Sequence, residues 1–318
     1  MSKPIIERIH LSAGDFRAEI APLGATLTRF RLKGRDLILG LKPNSDSALD
    51  NFYAGALVGP VANRISSGQI KIGGRIFQME CNEKGQTALH SGSDGLHNQV
   101  WKIVDNTPST VSLTCQLPDG HGGLPGNRNV SITYTLDLAG LSITITALTD
   151  QKTPMNIAHH PYWALEPDQS KTMLSINALT YLPKDSKGLS TGEIASVANS
   201  AFDFTQPKPI GPSANFDHNW CLSAEKNTAP QHAATLRTTD GLQLDIATTE
   251  VGLQVYTGSG LPNLEASTSI GPKIGPNMGI ALEPQGWPDA PSQPTFPSIM
   301  LDRNQTYRQI TRYTVTQT

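Results

Sequence analysis

Eight histidines occur in the 318-residue sequence, and imidazole is the side chain whose ordinary titration lies nearest neutral pH, so they are weighed first for proton transfer. His160 stands immediately before Pro161, and Glu283 immediately before Pro284. Proline biases the residue before it toward an extended backbone, so each side chain leaves a defined stem. An imidazole and a carboxylate can act together as acid and base near neutral pH. The run His159-His160 raises the question of a metal. Neighbours on a strand point to opposite faces, and no HExxH-like spacing accompanies the pair, so no metal is expected. Four tryptophans, Trp101, Trp163, Trp220 and Trp287, lie close in sequence to His90, His160, Asp217 and Glu283 respectively. An indole can stack on the C–H face of a sugar while charged groups bind its hydroxyls; core packing is the commoner use, and about two of the four are expected to be structural.

The rest of the composition narrows the partner. A formal charge of -2 with 16% charged residues offers nothing to attract nucleic acid or an acidic membrane surface, so a small neutral molecule is expected. No stretch approaches the roughly 20 apolar residues that span a bilayer, and the start, MSKPIIERIH, carries Lys3, Glu7 and Arg8 where a signal peptide needs its apolar core. A cytoplasmic protein is expected. Cys81, Cys115 and Cys221 form neither a CxxC pair nor an even set, and read as small buried hydrophobes. No glycine-rich dinucleotide motif or phosphate loop is present, so no cofactor is expected.

The elements that must position these residues read as strands. From Asn129 to Thr149, Val130, Ile132, Tyr134 and Leu136 alternate with polar residues, then Leu141, Ile143, Ile145 and Ala147 do so after a turn near Ala139-Gly140. This predicts a long antiparallel hairpin. GQIKIGGRIF (68–77) repeats the pattern about a Gly73-Gly74 turn, and VSLTCQL, GLQLDIAT and VGLQVYTG add further strands. No window keeps helical periodicity, and 28 glycines and 23 prolines punctuate the chain. The expected fold is all-β, a large antiparallel β-sandwich. No linker divides residues 1–318, which are expected to form a single domain, with 182–212 as a loose excursion inside it.

Seven stretches carry a family resemblance: GALVGPVANRISSGQI (55–70), TALHSGSDGLHNQVW (87–101), LPGNRNVSITYTL (124–136), KTPMNIAHHPYWAL (152–165), FDHNWCL (216–222), VYTGSGL (255–261) and LEPQGWPDAPSQPTFP (282–297). In this order they resemble the successive signatures of the aldose 1-epimerase, or galactose mutarotase, family, and cover the chain from about residue 14 onward. The resemblance implies the family's β-supersandwich and interconversion of the α and β anomers of a free aldose. It implies that Glu283 is the catalytic base and His160 the catalytic acid, with Arg64, His90 and Asp217 binding the sugar. The expected partner is a monosaccharide, and the expected state a monomer or homodimer.

Such a reaction removes the C1 hydroxyl proton while protonating the ring oxygen, which needs one base and one acid and no redox group. His160 is expected to be cationic and Glu283 ionised in the resting complex. Departures from the family pattern occur at Ser91-Gly92, where two glycines are usual, at Trp163 and Trp220, often Phe, and at 302–304. The tryptophans leave the sugar's identity open. Three rival readings remain. One is an epimerase for an anionic sugar, which needs basic residues beyond Arg64. Another is a non-catalytic sugar-binding protein, and the third a glycoside hydrolase using Glu283 with Asp217.

Overall fold

A computed structural model describes residues 8–40, 52–268 and 271–317. The long hairpin forms as its alternation requires: Arg128–Asp137 pairs with Gly140–Thr149 through Asp137 opposite Gly140, and the eight alternating apolar residues are buried. Ile72 pairs with Arg75 across Gly73-Gly74, whose φ angles of +54° and +83° are those a tight two-residue turn demands.

The hairpin supplies the third and fourth strands of a nine-stranded antiparallel sheet. In spatial order it runs Lys102–Asn106, Thr110–Leu117, Arg128–Asp137, Gly140–Thr149, Tyr307–Gln317, Leu242–Thr248, Gln231–Arg237, Met173–Ile176 and Lys208–Pro209. A second sheet has six strands in the order Tyr162–Trp163, Ile280–Gln285, Gly252–Tyr256, Asp217–Cys221, Thr180–Leu182 and Ala195–Ser196. Val130, Ile132 and Tyr134 of the first share one hydrophobic cluster with Trp220, Leu253, Val255 and Leu282 of the second. The sheets therefore bury one face of each against the other, the economy of a sandwich. A four-stranded sheet from Ile9 to Asp36 adds Leu11, Phe16, Ile20 and Phe30 to the same cluster.

Period-two alternation then decides what the other face of the six-stranded sheet carries. Leu253, Val255, Ile280 and Leu282 point inward. Gln254 pairs with Glu283 and Asp217 with Tyr256, so these four side chains share the outward face. No helix among the described residues is long and apolar enough to cross a membrane. Cys115 and Cys221 are buried free thiols as expected, whereas Cys81 is only half-buried because it lies beyond the strand Arg75–Gln78, outside the core.

Candidate active site

The outward face of the six-stranded sheet is the floor of a pocket of about 260 Å³, and Arg64, His90, His160, Asp217 and Glu283 all line it. They come from distant parts of the sequence. Arg64 pairs with Leu89, which brings His90 beside it, and the amide of Asn63 donates to His90 Nδ1 at 3.1 Å. That bond leaves the His90 ring proton on Nε2. His90, Ser91 and Gly92 all have left-handed φ angles, and the Ser91 hydroxyl bonds both backbone groups of Val61, which supports a serine where glycine is usual. His160 follows the short strand Ala158–His159 and its Nε2 lies 3.4 Å from Glu283 Oε1. His159 points the other way, into the core against Tyr313, as strand alternation required.

Arg64 is fixed by two bonds of 2.8 Å to Glu83 and one of 3.3 Å to Asp217. Asp217 also accepts from Lys184 Nζ at 2.9 Å and Gln254 Nε2 at 2.7 Å. Burial opposes its ionisation, but the charges of Arg64 and Lys184 prevail and hold it below the usual carboxylate range. Glu283 differs. It is 2% exposed, and its Oε2 has no hydrogen-bond partner among the described residues. Burial pushes its carboxyl well above the ordinary value, the charge of Asp217 pushes the same way, and Arg64 opposes. Burial also pushes His160 down to about 4, with Asp217 opposing, and holds His90 well below its ordinary value. In the sugar-free pocket burial disfavours both the cationic form of His160 and the ionised form of Glu283, the two forms expected in the sugar complex.

The chain matches the aldose 1-epimerase family model over residues 7–314. It belongs to the aldose 1-epimerase family. It is 34% identical to a human galactose mutarotase, covering 95% of this chain and 92% of that protein. An aldose 1-epimerase from Haemophilus influenzae is 33% identical, over 82% of this chain and 79% of that one. The crystal structure of an aldose epimerase homologue from C. elegans superposes with a TM-score of 0.90 at 26% identity, covering 98% of this chain and 99% of that one. Family membership makes the protein an isomerase that interconverts aldose anomers, and the sandwich is the family's fold.

Several pocket residues escaped sequence reasoning. Gln254 is a lone amide in the apolar run VGLQVY, a signal that alternation could have exposed. Phe52, Tyr53, Tyr162 and Tyr256 supply the aromatic walls, where tryptophan had been the candidate. No tryptophan lines this pocket. Trp163 packs on Phe30 and Tyr313, Trp220 on Phe204 and Phe216, and Trp287 on Phe296. Trp101 donates its indole N–H to Leu96 O. All four are buried, Trp163 and Trp220 on strands that turn them to the core and Trp101 and Trp287 in loops, so the replacements of Phe at Trp163 and Trp220 do not line this pocket.

His90, His160 and Glu283 bring potential ligand atoms within 4.8 Å of one another, a His₂Glu set able to hold a divalent ion that the His159-His160 run did not foreshadow. A larger cavity of about 430 Å³, bordered by Met155, Val251, Ile299 and Tyr307, contains none of the five residues; its one buried carboxylate, Glu250, is bonded to Lys226 at 2.6 Å. The five expected residues thus gather in the smaller pocket.

Proposed function

We propose that Glu283 is the base and His160 the acid with which this protein interconverts the α and β anomers of a free monosaccharide, while Arg64, His90 and Asp217 hold the sugar. The observation that carries this reading is the contact of 3.4 Å between His160 Nε2 and Glu283 Oε1 inside a pocket walled by sugar-binding side-chain types. The hydroxyl oxygen and the ring oxygen are bonded to the same carbon, so two catalytic groups this close can reach both at once. Glu283 takes the proton of the C1 hydroxyl. Its electron pair forms the carbonyl as the C1–O5 bond breaks, and O5 takes a proton from His160. The aldehyde turns about C1–C2, and reclosure on its other face returns both protons. Each group contributes about 10²- to 10⁴-fold.

Proton bookkeeping supports the couple. A carboxylate with an imidazolium holds one proton, and so does a carboxylic acid with a neutral imidazole. The second distribution is the one burial favours in the empty pocket, and it is also the one ring opening leaves behind. Both oxygens of Asp217 are already engaged by Arg64, Lys184 and Gln254, which speaks for a residue that holds hydroxyls over one free to attack an anomeric carbon in glycoside hydrolysis. Lys184 is a second cation near the pocket, but Asp217 and Glu83 already balance it and Arg64, which speaks for a neutral sugar over an anionic one.

The test is anomer equilibration of freshly dissolved aldoses, followed by polarimetry or NMR, for wild type and Glu283→Gln. Wild type accelerates at least one sugar far beyond the buffer rate and the variant does not; a variant as fast as wild type sinks the assignment. A nitrophenyl glycoside should release no nitrophenol. We also read residues 1–318 as one domain, because a single core cluster draws on residues from Ile9 to Val315. The three free thiols support a reducing, cytoplasmic setting, and sedimentation would separate monomer from homodimer.

A further inference from the structure

His160 and Glu283 face each other across a gap in the backbone ladder. Tyr162 pairs with Ala281, and extending that antiparallel register by two residues sets His160 opposite Glu283. The ladder does not continue. Pro161 has no N–H to donate. Ala158 and His159 pair instead with Val58 and Leu57, and the His160 amide donates to Ala56 O at 3.0 Å.

Side chains replace the missing rungs. Beyond the gap, Asn156 grips Gly286 with both ends of its amide: Oδ1 accepts the Gly286 N–H at 2.7 Å and Nδ2 donates to the Gly286 carbonyl at 3.2 Å. Within the gap, the Ile157 amide donates to the Tyr307 hydroxyl at 3.3 Å, and that hydroxyl donates to Gln309 Oε1 at 2.9 Å. Gln309 Nε2 then donates to the carbonyl of Pro284, the residue after Glu283, at 2.9 Å. Asn156, Tyr307 and Gln309 are all buried.

We propose that Asn156, Tyr307 and Gln309 are positioning residues that set the separation of His160 and Glu283, a role that rests on reading those two as acid and base. None of the three is among the residues that line the pocket, and their hydrogen bonds run to Gly286, Ile157, Pro284 and one another. They act through the backbone on either side of each catalytic residue. A fully satisfied buried chain of this kind is rigid, and removing one link leaves Ile157 N–H or Pro284 O unpaired, so the two segments must shift to recover a partner. The groups that hold the sugar are anchored by a different set of bonds, through Glu83, Asn63 and Lys184. Loosening the bridge therefore affects the chemical step and leaves binding in place.

The experiment compares Tyr307→Phe, Gln309→Met and Asn156→Ala with Thr311→Val, a control on the same strand whose hydroxyl meets Thr248 at 3.2 Å. For each, kcat and KM are measured by NMR exchange between anomers, and Tm by calorimetry. A misplacement near 1 Å costs on the order of 10²-fold, so the bridge variants should lose about 10- to 100-fold in kcat with KM within about twofold. Thr311→Val should lose Tm alone. Wild-type kcat in all three bridge variants, or a rise in KM at constant kcat, overturns the proposal. Glu283→Gln run alongside keeps the two failures apart. If it retains the wild-type rate, the base assignment is wrong; if it is inactive while the bridge variants keep full kcat, only the positioning role is wrong.

Discussion

Glu283→Gln should remove catalysis and raise thermal stability at the same time. Glu283 is buried, one of its oxygens has no partner among the described residues, and its carboxyl sits well above the ordinary range. An unfolded glutamate titrates near about 4.3. Because the folded value is higher, the stability this group contributes is fully present below the unfolded value and is lost as pH rises toward the folded value. Glutamine has the same shape and no proton to hold, so it escapes that loss. The gap between variant and wild type therefore opens above about pH 4.3 and grows by about 1.4 kcal/mol per pH unit until the folded value is passed. A chain of 318 residues melts with an entropy near 0.7 kcal/mol/K, which makes each such step about 2 °C in Tm. Calorimetry of both proteins from pH 4 to 9 should show similar melting at the acid end and a higher Tm for the variant above it. The pH at which the gap levels off reads the folded titration point of Glu283. A gap that stays flat, or a variant that melts lower between pH 5 and 8, would refute the reasoning, since the buried carboxylate would then be stabilised as an ion.

Three further outcomes are expected. Burial puts His160 at about 4, so below that pH a second proton occupies the couple and no base remains. The rate should fall about tenfold per pH unit below about 4 and stay level through neutrality, and an inflection near 6.5 would place His160 in water instead. Asp217→Asn weakens the bonds to Arg64 and Lys184, raising KM by about tenfold or more; it also removes a charge that pushes Glu283 up, so the alkaline limb of the rate profile should move to lower pH. Gly55→Ala would set a Cβ 2.1 Å from Leu27 O at a φ of +73°, and Gly55 donates to the His160 carbonyl. A loss of about 2 kcal/mol or more in urea unfolding, with a lower kcat, is expected.

Much of this molecule is legible in its residues because alternation is a local property. The hairpin from Arg128 to Thr149 and the Gly73-Gly74 turn follow from neighbours a few positions apart, and the same rule turns His159 to the core and His160 to the pocket. The five residues that the family resemblance singled out line one pocket. What stayed hidden depends on contacts across the chain. Lys184 and Glu83 sit in unremarkable polar runs, and only folding brings them to Asp217 and Arg64. The direction in which His160 and Glu283 are shifted escaped for a similar reason, since desolvation is a sum over every group packed around them. Tryptophan misled because proximity in sequence to a polar residue says nothing about where the fold points an indole.

The placement of the four indoles has a spectroscopic consequence. Trp101, Trp163, Trp220 and Trp287 are buried and none borders the sugar pocket, whereas three tyrosines do. Tryptophan emission excited at long wavelength will therefore follow loss of the sandwich and stay nearly constant as sugar is added. Tyrosine absorbance near Tyr53, Tyr162 and Tyr256 will carry the ligand signal. The protein thus reports unfolding and occupancy through separate chromophores, and the two can be read in one sample.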